Sequence, residues 1–197
     1  MAGRPTNRDE RHKQVMHALV RCVARFGLDG ATLSQVAEEA GLARPLIRHH
    51  IGNREDMIAA LTDFVLKTFA EQTEAMVDAL PIEGPSAALV DMLFSEGAAS
   101  EPDMILAFAA LTARASDDMD LRERCRASLL HFETAVSKTL FDEHRGVEQT
   151  DAEAAAHGIT ALYFNLTSLA PLDMPVGWKK RAKTVALRLL EELDHHS

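Results

Sequence analysis

An all-α fold of about nine helices is what this sequence predicts, and three features carry that prediction. Its apolar residues are mostly alanine, leucine, valine and methionine, which favour helices over strands. Aromatic residues make up only 5% of the 197 positions, and with 10 glycines and 7 prolines the chain is poor in turn residues. Apolar side chains also recur every third or fourth residue over long stretches, which is the helical period. A chain of this length suffices for one or two domains and a sizeable core. The expected division is a smaller three-helix head, residues 1–52, followed by a larger helical body, residues 53–197.

The first nine residues, MAGRPTNRD, contain Gly3, Pro5 and two arginines and read as a mobile basic arm. A helix is expected from Asp9 to Phe26, with Val15, Leu19, Val23 and Phe26 on one stripe. Gly27 and Gly30 bracket the link to a second helix, for which Thr32 is the N-cap and Gln35 the capping-box partner. Residues 33–52, LSQVAEEAGLARPLIRHHIG, then read as two short helices around a tight turn. Gly41 interrupts the pattern where the turn needs positive φ, and Ala37 is small enough for the inside of the corner. Val36, Ala40, Leu42 and Ile47 supply the apolar contacts that hold such helices at roughly 90–120°, the helix-turn-helix arrangement.

The second helix of such a unit fits the major groove of DNA, which is about 12 Å wide. Here it would start near Ala43 and turn Arg44, Pro45, Arg48 and His49 outward, toward base edges and phosphates. No carboxylate lies between Gly41 and Arg54. The whole chain has a net charge of −9, yet residues 1–54 carry nine Arg or Lys against five Asp or Glu, a net +4, and the remainder carries −13. Phosphate affinity depends on local cations rather than on the total, and the basic end is the end with the motif. Double-stranded DNA is therefore the expected partner.

Residues 31–61, ATLSQVAEEAGLARPLIRHHIGNREDMIAAL, resemble the DNA-binding head of the TetR family of transcriptional regulators. Thr32, Ala37, Gly41, Leu42, Ile47, His49, Arg54 and Glu55 match the family pattern. The motif covers about the first third of the chain, and the rest agrees in length and helical content. Two positions depart from the pattern. Arg48 stands where the family often has a phosphate-binding tyrosine, a role that arginine can also fill. Ala43 stands where serine is common, which removes an N-cap oxygen, and the helical φ of Pro45 partly offsets that loss. The resemblance implies that the start of the second helix, with Thr32, touches phosphate and that Ser34 faces the bases. Together with Arg44, Pro45, Arg48, His49 and Arg54 these form the expected DNA-contacting set.

The body should open with a fourth helix capped by Asn53, with Glu55 and Asp56 in its first turn, where the helix dipole favours acids. Its stripe is Ile58, Leu61, Val65, Phe69, Met76 and Leu80, ending at Pro81. About 27 residues make it roughly 40 Å long. A short helix over Ser86–Ala99 follows, then one from Ser100-x-x-Asp103 through Arg114. The next begins at Asp117, places Leu121, Cys125, Leu129, Phe132, Val136 and Leu140 on one stripe and ends at Gly146. A Thr150-x-x-Glu153 capping box opens the eighth, which closes near Leu169, and the ninth runs from near Pro175 to Leu193.

These last two helices are the expected dimer surface. Ala155 and its small neighbours permit close approach, while Ile159, Leu162, Leu166, Trp178, Val185 and Leu189 supply apolar area. The resemblance implies a homodimer built on a four-helix bundle, placing two recognition helices about 34–36 Å apart on a palindromic operator. It also implies regulation, in which a small molecule in the body alters the angle of the fourth helix and favours a spacing that fits DNA poorly. Phe64, Phe94, Met104, Phe108, Phe132 and Tyr163 would line a mostly apolar effector cavity, with Thr112, Arg114, His131, His157 and Asn165 as polar handles. Arg114 and His131 would suit an acidic or hydroxylated compound. The expected function is a dimeric transcriptional repressor released by such an effector. The alternative is a helical adaptor that binds another protein, with an affinity that falls little with salt.

Other classes lack their signatures. There is no G-x-x-x-x-G-K-[ST], C-x-x-C or H-E-x-x-H, so no enzyme activity and no cofactor are expected. The pairs His49-His50 and His195-His196 point apart on a helix, which suits a metal site poorly, and no metal is expected. Cys22 and Cys125 sit among apolar neighbours, as reduced core residues of a cytosolic protein do. Without an N-terminal apolar segment or a run of about 18 apolar residues, the chain is expected to be soluble and cytoplasmic, with no membrane contact.

Overall fold

The computed structural model of the protein describes residues 7–95 and 102–195. Among them the regular structure is helical: α1 Asn7–Gly30, α2 Leu33–Ala40, α3 Arg44–Ile51, α4 Arg54–Asp78, α5 Pro85–Phe94, α6 Pro102–Arg114, α7 Met119–Glu143, α8 Gln149–Ser168 and α9 Trp178–His195. A 3₁₀ turn covers Ala170–Leu172. The expected fold class holds, and the differences lie at helix ends. Residues 1–6 of the expected arm and Ser100, offered as a cap for α6, lie outside the described residues. α1 passes through a non-helical Gly27 (φ 71°, ψ 174°). Phe26, expected in the core stripe, is 44% exposed, with the Arg25 guanidinium 5.1 Å from its ring centre. It is the last residue before the break, so the helical stripe does not continue past it.

Two caps also moved. Asp118, not Asp117, receives the N–H of Leu121 at 3.0 Å to start α7. α8 opens at Gln149 without a side-chain cap, and Glu153 accepts from Gln149 Nε2 at 2.8 Å, so the expected box from Thr150 is absent. A local hydrogen bond one turn into the helix outcompetes it.

The chain packs as two compact units. The first takes the described residues up to Lys67 together with Asp103–Cys125. Val15, Met16, Leu19 and Val20 of α1 are buried there with Val36 of α2, Ile47 and Ile51 of α3, and Ile58, Leu61 and Val65 of α4. Each fully buried aliphatic side chain of this kind stabilises the fold by about 1.5–3 kcal/mol. α1 packs on α2 and α2 on α3. Polar ties fix the register: Gln14 Nε2 donates to Ala40 O at 2.8 Å, and Arg21 Nε to Glu39 at 2.5 Å. Within the same unit, Arg114 of α6 reaches Glu55 at 3.3 Å and Arg124 of α7 reaches Asp63 at 2.6 Å, both on α4. Cys22 and Cys125 are free and buried, and burial pushes both thiols above their ordinary value.

The second unit takes the remaining described residues. α8 packs on α9 and α5 on both, around Leu89, Val90, Phe94, Val136, Leu140, Ile159 and Leu190. The two last helices approach closely, since a side chain at Gly158 would come within 2.8 Å of Leu189 Cδ1. α9 buries Ala186, Leu190 and Leu193, whereas Val185, expected at the dimer surface, is 43% exposed.

The exit from α3 is the most constrained point of the first unit. Gly52 takes φ 67°, ψ −141°, a conformation open essentially to glycine alone, and a Cβ there would lie 2.8 Å from the Cβ of Asp56. Asp56 is not free to move aside: its Oδ2 accepts the N–H of Asn53 at 2.9 Å, while Asn53 Oδ1 accepts from Glu55 and Asp56 at 2.8 and 3.1 Å. Gly52→Ala is expected to lower stability by about 1–3 kcal/mol. Urea unfolding should show this as a lower midpoint at an unchanged slope.

Candidate nucleic-acid interface

The helix-turn-helix is built from its caps inward. Thr32 adopts extended backbone, its Oγ1 accepts the N–H of Gln35 at 3.3 Å, and Gln35 Oε1 accepts the N–H of Thr32 at 2.9 Å, which completes the expected capping box. At the other end of α2, Gly41 is left-handed (φ 63°, ψ 33°). The Leu42 N–H donates to Ala37 O at 2.9 Å and the Gly41 N–H to Glu38 O at 3.1 Å, a Schellman closure that satisfies both carbonyls. α3 then starts after Ala43, which offers no side-chain cap, with Pro45 in its first turn.

Ile47 and Ile51, one turn apart, are the buried side of α3. Arg44, Pro45, Leu46, Arg48 and His49 are exposed. Thr32 and Ser34, at the start of α2, are exposed as well. With no acid from Gly41 to Arg54, the surface of α3 carries only cationic and neutral groups. It is therefore suited to a polyanion, and its rigid backing keeps the exposed side chains at fixed spacing.

Arg54 has a second task that its place in the sequence does not reveal. Its Nη2 donates to Leu28 O at 2.9 Å and to Asp29 Oδ1 at 2.8 Å, tying the start of α4 to the link after α1. These partners lie far away along the chain, so no local pattern announces them.

The residues expected to hold an effector are distributed over both units. In the first, Met104 and Phe108 are buried, and Phe64 is half-buried and edge-on to His17 at 5.2 Å. Thr112 is exposed and bonds back to Ala109 O, and Arg114 is engaged by Glu55. In the second, Phe132 stacks on Tyr163 at 6.0 Å and Phe94 meets Tyr163 edge-on at 6.4 Å. Phe164, which the sequence reading missed, stands edge-on to Phe132 and Tyr163 at 6.3 and 5.9 Å. His131, His157 and Asn165 are exposed, and His157 lies 3.3 Å from Glu133. An open groove of about 530 Å³ in this unit is lined instead by Leu130, Glu133, Thr134, Ser137, Lys138, Phe141, Asp142, Gln149 and Glu153. Of the expected dimer residues, Ala155 and Ile159 are buried in the chain's own core, Leu162, Leu166, Trp178 and Leu189 are half-buried, and Val185 is exposed. Among the described residues no group of three or more His, Cys, Asp or Glu could hold a metal ion, and no helix is long and apolar enough to cross a membrane.

A capped and braced helix pair that presents an acid-free second helix is a helix-turn-helix, the arrangement whose second helix fits the major groove of DNA. Residues 15–61 match the family model of bacterial regulatory proteins of the tetR family. The chain is 24% identical over 188 residues to the HTH-type transcriptional regulator PksA of Bacillus subtilis, covering 94% of this chain and 90% of PksA. It shares its fold with a TetR-family transcriptional regulator from Cytophaga hutchinsonii, at a TM-score of 0.71 and 16% identity over 96% of this chain and 98% of that one. The same holds for the multidrug binding protein EbrR, solved in complex with imidazole, at a TM-score of 0.56 and 21% identity over 94% and 96% of the two chains. Residues 15–61 thus resemble the DNA-binding head of tetR-family regulatory proteins, and the chain as a whole shares the fold of a TetR-family regulator.

The cap at Thr32 gives this interface a direct test. Thr32→Ala should destabilise the fold by about 1 kcal/mol, whereas Thr32→Ser should be close to neutral. Thermal melting of the two variants against the parent checks it.

Proposed function

We propose that the protein is a homodimeric repressor that binds a palindromic operator through two copies of the head, residues 1–52, and is released when a mostly apolar small molecule occupies the helical body, residues 53–197. The observation that carries this reading is α3, with Arg44, Pro45, Arg48 and His49 exposed on a helix anchored by Ile47 and Ile51. Arg44 and Pro45, at the N-terminal end that such helices point into the groove, read base edges. Ser34 lies beside the bases, while Thr32, Arg48, His49 and Arg54 hold the phosphate backbone.

Dimerisation is supported by the apolar surface that α8 and α9 leave uncovered, from the exposed Val185 to the half-buried Leu162, Leu166, Trp178 and Leu189. For the effector, the aromatic group of Phe94, Phe132 and Tyr163 offers the apolar surface, and EbrR, of the same fold, is a small-molecule-binding protein. An acidic effector that used Arg114 would have to displace its ion pair with Glu55. The activity is binding, not catalysis, without a cofactor, and it is exercised on DNA in the cytoplasm.

Selection of bound duplexes from a random DNA pool tests the proposal. A palindrome with half-sites about one helical turn or a multiple apart is the expected product. No enriched sequence from folded, ligand-free protein would overturn it. On the selected operator, Arg44→Ala should cost about 1–3 kcal/mol and relax the base preference, whereas Arg54→Ala should weaken binding to all sequences alike. Fluorescence anisotropy with operator and scrambled duplexes separates the two.

A further inference from the structure

We propose that Leu46 packs against the C5-methyl group of a thymine in each operator half-site and so helps to set which sequence is bound; the inference rests on the DNA-binding reading above. Leu46 is 36% exposed, a large apolar side chain left uncovered on α3 beside the exposed Arg44, Pro45, Arg48 and His49. At about 3.6 residues per turn, Pro45 and His49 point away from the buried Ile47 and Ile51. Arg48 then stands on one flank of that outward face and Leu46 on the other. Leu46 also belongs to the first turn, the end that such helices point into the groove. Its backbone is held, because its N–H donates to Ala43 O at 2.9 Å and the adjoining Ile47 is fully buried.

The groove selects the contact. Phosphates wall the major groove, its floor is a row of hydrogen-bond donors and acceptors, and the apolar group it presents is the thymine C5-methyl. A leucine side chain neither donates nor accepts, so against a phosphate or a bare polar edge it would displace water without replacing the hydrogen bonds lost. Against a methyl group the same contact removes apolar surface from water on both sides. Cytosine offers no methyl there, and a purine presents its polar N7 edge. Pro45, the preceding residue and also exposed, extends the apolar patch. Each half-site is therefore expected to keep a thymine where the first turn of α3 enters the groove.

The test uses the selected operator with each thymine replaced in turn by deoxyuridine, which keeps the base-pair hydrogen bonds and removes only the methyl group. Fluorescence anisotropy of the parent should find one position in each half-site at which affinity falls about three- to fivefold, the effect of burying one methyl group. Leu46→Ala, shown by its melting curve to be folded, should bind the thymine operator more weakly by at least that factor and lose nothing more at the same deoxyuridine. Leu46→Met, which keeps an apolar side chain, should keep the sensitivity. The scan of the parent needs no variant, so it decides the matter even if Leu46→Ala unfolds. A selected half-site without thymine, a parent indifferent to every replacement, or a deoxyuridine penalty of equal size in folded Leu46→Ala would overturn the thymine contact while leaving the DNA-binding reading intact. Failure of the parent itself to bind any duplex would overturn both.

Discussion

Everything this protein presents to its partner depends on the closure of α2 at Gly41. The chain must reverse within a few residues, and only a left-handed residue there lets the N–H groups of Gly41 and Leu42 fold back onto the carbonyls of Glu38 and Ala37. That turn sets the angle of α3 to α2, and Val36, Ala40 and Ile47 fix it by burial. Gly52 imposes the matching constraint at the far end of α3. Between two such points an eight-residue helix, too short to be stable alone, becomes rigid. Its exposed side chains then need little further ordering on binding, which lowers the entropic cost of recognition.

Charge is arranged around that rigid piece. The head is basic and the rest of the chain strongly acidic, so a molecule of net charge −9 still offers a cationic face. The ion pairs of the first unit join exposed or half-exposed groups, such as Arg54 with Asp29 and Arg124 with Asp63. Pairs of this kind contribute about 0–1 kcal/mol each. Their value is in orientation: Arg54 fixes the start of α4 and Gln14 fixes the start of α1 against the corner. The apolar residues behind them supply the stability.

Much of the first unit was legible because its signals are local. A capping box needs residues three apart, a Schellman turn needs one glycine, and the buried stripe of a helix needs only its period. Thr32, Gln35, Gly41, Asn53 and the Val36–Ile47 set were all readable for that reason. Local rules failed where two local solutions competed, as at Glu153, which took Gln149 as its partner instead of capping with Thr150. They failed at Phe26, which keeps the helical period but lies at the end of the stretch, next to the non-helical Gly27, and stays exposed there. In α9 the core takes Ala186, Leu190 and Leu193 and leaves Val185 outside; period does not say which of two apolar faces the rest of the chain will cover.

What the sequence determined by itself was the helical fold class, the helix-turn-helix and its acid-free second helix, since each follows from spacing, residue size and charge over short distances. Only the tertiary structure decided which distant groups meet: Arg54 with the link after α1, Arg114 with Glu55, and Phe164 with Phe132 and Tyr163. Such pairings depend on how helices far apart in the chain stack, and that is fixed by the packing of whole faces, which no window of neighbouring residues contains.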